Sequence, residues 1–253
     1  MVITDINTLL RFLTKTTAQS LTAAQALILV NNAYERVVGK IIVETAGSNW
    51  KFGDSNFTAV PTGLADLVNS QQPYQLMGNL VATTGTGIAL QSATTQPLLT
   101  VFRVEIMDED GDYHVIQPIT LNQITEGQTQ YYETDGRPEY YELREDFIHL
   151  YPAPDNGVSV TLTNGLKIFF QRTADLFTSA EVTAGTKYPG FASPWHDILA
   201  YMAAYEYAIA NGLPNLKILK AEIMEKEKGL LTYYARREQV LRKKMTTGSI
   251  SFR

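Results

Sequence analysis

The chain has no cysteine in its 253 residues. Disulfides, thiolate zinc sites and cysteine nucleophiles are excluded together, and the composition fits assembly in a reducing cytoplasm. Histidine is scarce. His114, His149 and His196 do not stand at metal-ligand spacing from one another, and no HExxH occurs. No apolar run approaches the ~20 residues that a membrane-spanning helix needs, so no membrane partner is expected. The opening MVITDINTLLRFL carries an early acid and no basic region, unlike a secretory signal. Basic charge is short as well: the net charge is -5 and the pI about 5.3. Whole-chain charge therefore gives no support to sequence-independent DNA binding, although a local basic patch is left open.

What is present is globular. Hydrophobic residues make up 45% and charged residues 19%, enough for one large or two small domains with a core. Helical spacing opens and closes the chain. Thr4 or Asp5 caps a first helix with Ile6, Leu9, Leu10 and Leu13 on one face. Thr22 and Gln25 form a capping-box pattern for a second, faced by Leu27, Val30, Tyr34, Val37 and Ile41 and stopped near Gly47. Two helices with so short a link are expected to pack antiparallel. From Ser193, with Pro194 in the first helical position, a third helix carries Ile198, Met202, Tyr205 and Ile209 as one stripe. Ala200, Ala203, Ala204 and Ala208 allow close packing, and Asn211-Gly212 stops it. Asn215 to Lys244 reads as one long helix, about 45 Å at 1.5 Å per residue. Its stripe is Leu216, Leu219, Ile223, Leu230 and Tyr234. Gly229 weakens its middle by roughly 1 kcal/mol.

Between Asn49 and Ala180 the texture is β. Phe57–Val60, Tyr74–Met77, Leu99–Met107, Tyr113–Ile116, Val158–Leu162 and Lys167–Arg172 read as strands, with Asn164-Gly165 as a hairpin turn. Leu121–Glu126 reads as a single helical turn. Gly78–Pro97, uncharged and rich in Gly and Thr, reads as a long flexible loop. These elements predict an α+β fold. A helical bundle is formed by residues 1–47 and 190–245, an antiparallel β domain is inserted at 48–189 with its loop at 78–97, and 246–253 is a tail.

Few constellations carry chemistry. Asp108, Asp110 and Asp112 start like a calcium loop, but Tyr113 stands where the glycine belongs and Ile119 where the bidentate glutamate belongs, so a solvated turn is expected. Gly85-Thr86-Gly87 lacks the Lys-Ser/Thr that completes a phosphate loop. Each of the pairs Tyr131-Tyr132, Tyr140-Tyr141 and Tyr233-Tyr234 is expected to place one ring in the core and one outward. Tyr132, Tyr140 and Tyr233 are the candidates for a subunit interface, where tyrosine is enriched. The sharpest charge feature is terminal. Arg236, Arg237, Arg242, Lys243, Lys244 and Arg253 against Glu238 leave +5. Two readings stand: a solvated helix end that complements the helix dipole, or a docking segment for an acidic partner or beside DNA. Ser249-Ile250-Ser251-Phe252 alternates like a short strand, so Ile250 and Phe252 join Arg236, Arg237, Arg242, Lys243 and Lys244 as docking candidates.

The organising stretch is DGRPEYYELREDFIHLYPAPD, residues 135–155: a turn, a strand, the polar two-residue connection Glu145-Asp146, and a second strand closed by Pro152-Ala153-Pro154. The turn type is left open. With LKIFFQRTADLFTSA and PGFASPWHDILAYMAAYEYAIANGL downstream, this stretch resembles the head-tail adaptor (connector) proteins of tailed bacteriophages. The resemblance rests on order and texture over the C-terminal half and carries no catalytic signature. It implies a non-enzymatic ring subunit without cofactor or metal, twelvefold in stoichiometry. The ring would be bound under the portal protein, receive tail or nozzle proteins and pass genomic DNA through its lumen without sequence-specific contact. It implies a place in the virion at the head-tail interface, after assembly in the host bacterial cytoplasm. The alternatives are a tail-completion or receptor- and glycan-binding virion module and, more distantly, a hydrolase using paired carboxylates.

Overall fold

The computed structural model describes residues 1–46, 51–57, 62–76, 98–120, 134–145 and 147–237. The chain divides into two units. One comprises Met1–Thr4 with Gly53–Ala192, the other Asp5–Phe52 with Ser193–Arg253.

The first unit is a curled seven-stranded sheet. Its strands are β1 (Thr62–Ala65), β2 (Pro73–Gln75), β3 (Leu98–Met107), β4 (Tyr113–Pro118), β5 (Tyr140–Arg144), β6 (Phe147–Tyr151) and β7 (Leu166–Arg172), in the order β1-β7-β3-β4-β5-β6-β2. Val104, Ile106, Ile116, Ile148, Leu150, Leu166 and Ile168 are buried and form its core. They alternate with outward residues because successive strand side chains point to opposite faces. β5 and β6 form the expected hairpin, with Arg144 opposite Phe147 and Glu145 at φ +54° supplying the left-handed residue of the turn. A six-residue helix, α3 (Ser179–Ala184), belongs to this unit and is capped by a reciprocal Thr178–Glu181 box.

The second unit is built on α2 (Ala23–Glu44), α4 (Ile198–Asn211) and α5 (Leu216–Arg236), each packed on the other two. The Thr22 hydroxyl accepts the N–H of Gln25 at 3.3 Å, and Gln25 Oε1 accepts the N–H of Thr22 at 3.0 Å, so the capping box forms as read. Ala200, Ala203, Ala204 and Ala208 are all buried on α4. Their small side chains let neighbouring backbones approach. Leu219, Ile223, Leu230 and Tyr234 bury the inner face of α5. α1 (Ile3–Thr14) buries Ile3, Ile6 and Leu10 but shares no comparable face with α2, α4 or α5.

The predicted architecture needs correction. The fold is mixed α/β, not a helical bundle carrying a small antiparallel insert. β4 and β5 run parallel, Gln117 beside Tyr140 and Pro118 beside Tyr141. A parallel pair needs a crossover connection of a dozen or more residues, and 119–139 is long enough to supply it. Composition carries no strand direction, so the sequence could not show this.

Local expectations also shift. Val158–Leu162 is not a strand. The Asp155 carboxylate takes the N–H groups of Val158 and Ser159 at 2.9 to 3.1 Å and folds the segment into a turn, leaving one bridge from Val160 to Asp108. α1 starts at Ile3, ahead of the expected caps, with the Ile3 N–H donating to Lys187 O. α2 ends at Glu44, with the Thr45 hydroxyl bonded to Ile41 O in the capping position. Ser193-Pro194-Trp195 is a 3₁₀ turn, and α4 begins only at Ile198; Asp197 in the capping position makes no side-chain cap bond and pairs its carboxylate with Lys226 instead. Ile209 leaves the predicted stripe and is exposed. The remainder of the expected long helix, Leu121–Glu126, 58–60 and the loop Gly78–Pro97 lie outside the described residues.

Candidate functional site

The outer face of α5 is the surface to which chemistry and geometry converge. Helical periodicity gives α5 two stripes. Leu219, Ile223, Leu230 and Tyr234 face inward. A second series, Lys217, Ala221, Met224, Lys228, Leu231 and Ala235, repeats at alternating spacings of four and three, which places it along one side of the helix. Met224 is 61% exposed although apolar, and Lys217, Lys220, Lys228 and, toward the end of the helix, Arg236 are exposed along α5, as is Glu225. Between α2 and α5 this face opens into a concavity of about 570 Å³, floored by Met224, Leu231 and Ala235 and rimmed by Glu44, Lys228 and Arg236.

Ion pairs sort the cations of this unit. Arg36 pairs with Glu206 at 2.8 Å, Lys40 with Glu227, and Lys226 with Asp197 at 2.7 Å. These tie α2, α4 and α5 together. Among the described residues Lys217, Lys220, Lys228 and Arg236 form no ion pair, so their charge faces solvent.

Charge is divided unequally between the units. The sheet unit has 17 acidic and 6 basic residues, a net -11; the helical unit has 9 acidic and 15 basic, a net +6. The whole-chain value of -5 is the sum and hides both. The sequence reading missed Lys217, Lys220 and Lys228 for this reason. Their four-three spacing with Ala221, Met224, Leu231 and Ala235 was readable, but it was eclipsed by the stronger apolar stripe one face over.

At the end of α5 a second concavity of about 380 Å³ is lined by Gly229, Thr232, Tyr233, Arg236 and Arg237. Tyr233 is 43% exposed and rests on Trp195, ring centroids 4.9 Å apart, while Tyr234 is buried edge-on against Phe52 at 5.6 Å. Three of the sequence candidates, Tyr233, Arg236 and Arg237, thus come together here. Tyr140 sits elsewhere, in β5 opposite Tyr151, half-buried while its neighbour Tyr141 is buried. Arg242, Lys243, Lys244, Ile250, Phe252 and Tyr132 lie outside the described residues, as does Gly85-Thr86-Gly87.

The remaining constellations are structural. Asp108 Oδ1 accepts the N–H groups of Asp110 and Asp112 at 3.0 and 2.9 Å, and Oδ2 meets His114 Nε2. The Asp112 and His114 contacts hold its pKa below the ordinary carboxylate value against a smaller upward effect of burial. The aspartate staples the β3–β4 turn. Among the described residues no group of three His, Asp or Glu side chains is placed to hold a metal ion, and no helix is long and apolar enough to cross a membrane. His149 lies in β6 nearly parallel to Tyr151, and His196 is buried.

A second charged knot lies in the sheet unit. Asp54 is buried; Oδ1 accepts the N–H of Asn56 at 2.9 Å and Oδ2 the N–H of Asp175 at 3.0 Å. Burial pushes the Arg172 guanidinium pKa down, while the nearby Asp54 and Asp175 carboxylates pull it back up. Its guanidinium also lies 3.9 Å over the Phe57 ring. Lys187 bridges Asp175 and Glu181 at 3.0 and 2.9 Å. These contacts fasten the 54–57 segment to the 172–190 segment.

No protein-family model matches the chain, and no curated protein matches it.

Proposed function

We propose that the chain is a structural subunit of a tailed-bacteriophage head-tail connector, an adaptor that forms a ring beneath the portal, lengthens the DNA channel and offers a new surface to the tail. The observation that supports this reading most directly is the end of α5, where Tyr233 on Trp195, Arg236 and Arg237 surround an open concavity on a unit of net charge +6. Aromatic and arginine side chains are the groups that dominate protein–protein contacts, and a cationic unit suits an acidic partner.

In this reading the action is geometric and no bond is made or broken. Arg236, Arg237, Arg242, Lys243 and Lys244 dock on an acidic portal surface. Ile250 and Phe252 fill two pockets as 249–252 adds to the edge of a neighbour's sheet, where main-chain hydrogen bonds give affinity. Tyr132, Tyr140 and Tyr233 contribute to contacts between subunits.

The test is portal capture by mass photometry. In this reading the octapeptide acts on the partner and not on the fold, so deleting Thr246–Arg253 should leave the melting temperature within about 1 °C yet weaken portal capture. Charge reversal at Arg242, Lys243 and Lys244 should weaken it chiefly at low salt. Equal capture by the truncated chain removes the docking arm. An intact chain that ignores portal rings removes the adaptor reading.

A further inference from the structure

We propose that the outer stripe of α5 is the docking face for the acidic sheet unit of a second copy of this chain, so that copies associate head to tail. The inference deepens the ring reading above and names the two surfaces that would join neighbouring subunits.

Three observations carry it. The first is the face itself: a four-three spaced stripe of exposed Ala221, Met224 and Ala235 with half-buried Leu231, beside an open concavity of about 570 Å³. The second is its charge. Lys228 and Arg236 line the concavity together with Glu44 and Glu227, and Lys217 and Lys220 lie further toward the start of α5. These four cations are exposed and form no ion pair among the described residues, whereas Arg36, Lys40 and Lys226 nearby do. The third is the complement within the same sequence: +6 on one unit and -11 on the other. Two copies placed like unit to like unit repel. Placed basic face to acidic unit they attract, which steers encounter and fixes orientation. An interface between unlike surfaces leaves one of each free at the ends, so it propagates and closes as a ring when the rotation permits.

Among the described residues of the sheet unit, Glu109, Asp110 and Asp112 at the β3–β4 turn are a close group of exposed acids, and none forms an ion pair. The turn is stapled through Asp108, which none of the substitutions below touches.

The experiment uses two full-length variants and sedimentation velocity. One carries Lys217→Glu, Lys220→Glu and Lys228→Glu. The other carries Glu109→Lys, Asp110→Lys and Asp112→Lys. All six positions are exposed, and circular dichroism checks that both variants fold. Wild type should show concentration-dependent association that weakens about tenfold or more between ~0.05 and ~0.5 M salt. Each variant alone should associate about tenfold less than wild type, because its facing surfaces now carry like charge. An equimolar mixture should associate again, since each variant's reversed surface matches the other's. Wild type that stays monomeric up to ~1 mM, a range in which even weak contacts of about 4 kcal/mol register, overturns the proposal. So does a mixture no more associated than its components. If the lysine variant instead loses binding to duplex DNA while self-association is untouched, the face belongs to phosphates and the proposal fails. Rings on the portal that tolerate both variants would remove this interface and leave the adaptor reading standing.

Discussion

The indole Nε1 of Trp195 lies 3.1 Å from the point that a β-carbon on Gly229 would occupy. The glycine that weakens the middle of α5 therefore faces the aromatic side chain on which Tyr233 rests. Gly229→Ala gains about 1 kcal/mol of helix propensity, but the indole must give way by a few tenths of an ångström. The expected net change in denaturant-measured stability is below ~0.5 kcal/mol. In a Trp195→Ala background the same substitution should recover about 1 kcal/mol. Equal effects in both backgrounds would show that the indole is not what holds the glycine in place.

Asp54 and Gly190 form the tightest lock in the sheet unit. A β-carbon on Gly190 would fall 1.6 Å from Asp54 Oδ1, and Asp54 cannot withdraw without releasing the N–H groups of Asn56 and Asp175. Gly190→Ala and Asp54→Ala should each cost about 3 kcal/mol, the second because it leaves Arg172 facing one carboxylate fewer and orphans two amides. Thermal unfolding checks this; a fall in melting temperature under about 2 °C for either variant would contradict the lock.

Acid sensitivity should trace to His149. Burial, then the Arg144 guanidinium, pushes its pKa below the ordinary histidine value, while Glu142 pulls the other way. A group whose folded pKa is depressed binds its proton first in the unfolded chain. Its contribution is therefore present above about pH 6.5 and is lost as pH falls from there through the folded value. Urea titrations at about pH 7.5 and about pH 5.5 should show a smaller loss of stability for His149→Gln than for wild type. An identical loss in both would place the acid sensitivity elsewhere.

Tyr74 should ionise late. Burial pushes its phenol up to about 12, only partly offset by its hydrogen bond to the Val68 backbone. The hydroxyl accepts the Val68 N–H at 3.0 Å and donates to the Val68 carbonyl at 3.3 Å, tying the segment after β1 to β2. In an ultraviolet titration of the phenolate band, Tyr74→Phe should leave the transition near pH 10 unchanged and remove amplitude only above about pH 11. It should also cost about 1–2 kcal/mol by stranding two backbone groups.

What the sequence determined by itself was local. The capping box of Thr22 and Gln25, the alanine face of α4, the stop at Gly212 and the β5–β6 hairpin were each encoded within a few residues. Capping, helical spacing and turn chemistry act over that range, so no distant part of the chain was needed to read them. Tertiary structure decided the rest. Whether β5 runs with β4 or against it depends on the path of residues 119–139, and side-chain identity does not record a strand's direction. Val158–Leu162 had a strand's alternation, yet the Asp155 carboxylate captured its amides first. The positive charge of the helical unit was present in the composition but cancelled there. Only the partition of the chain into two units separates +6 from -11, because net charge adds over a sequence while attraction and repulsion act between surfaces.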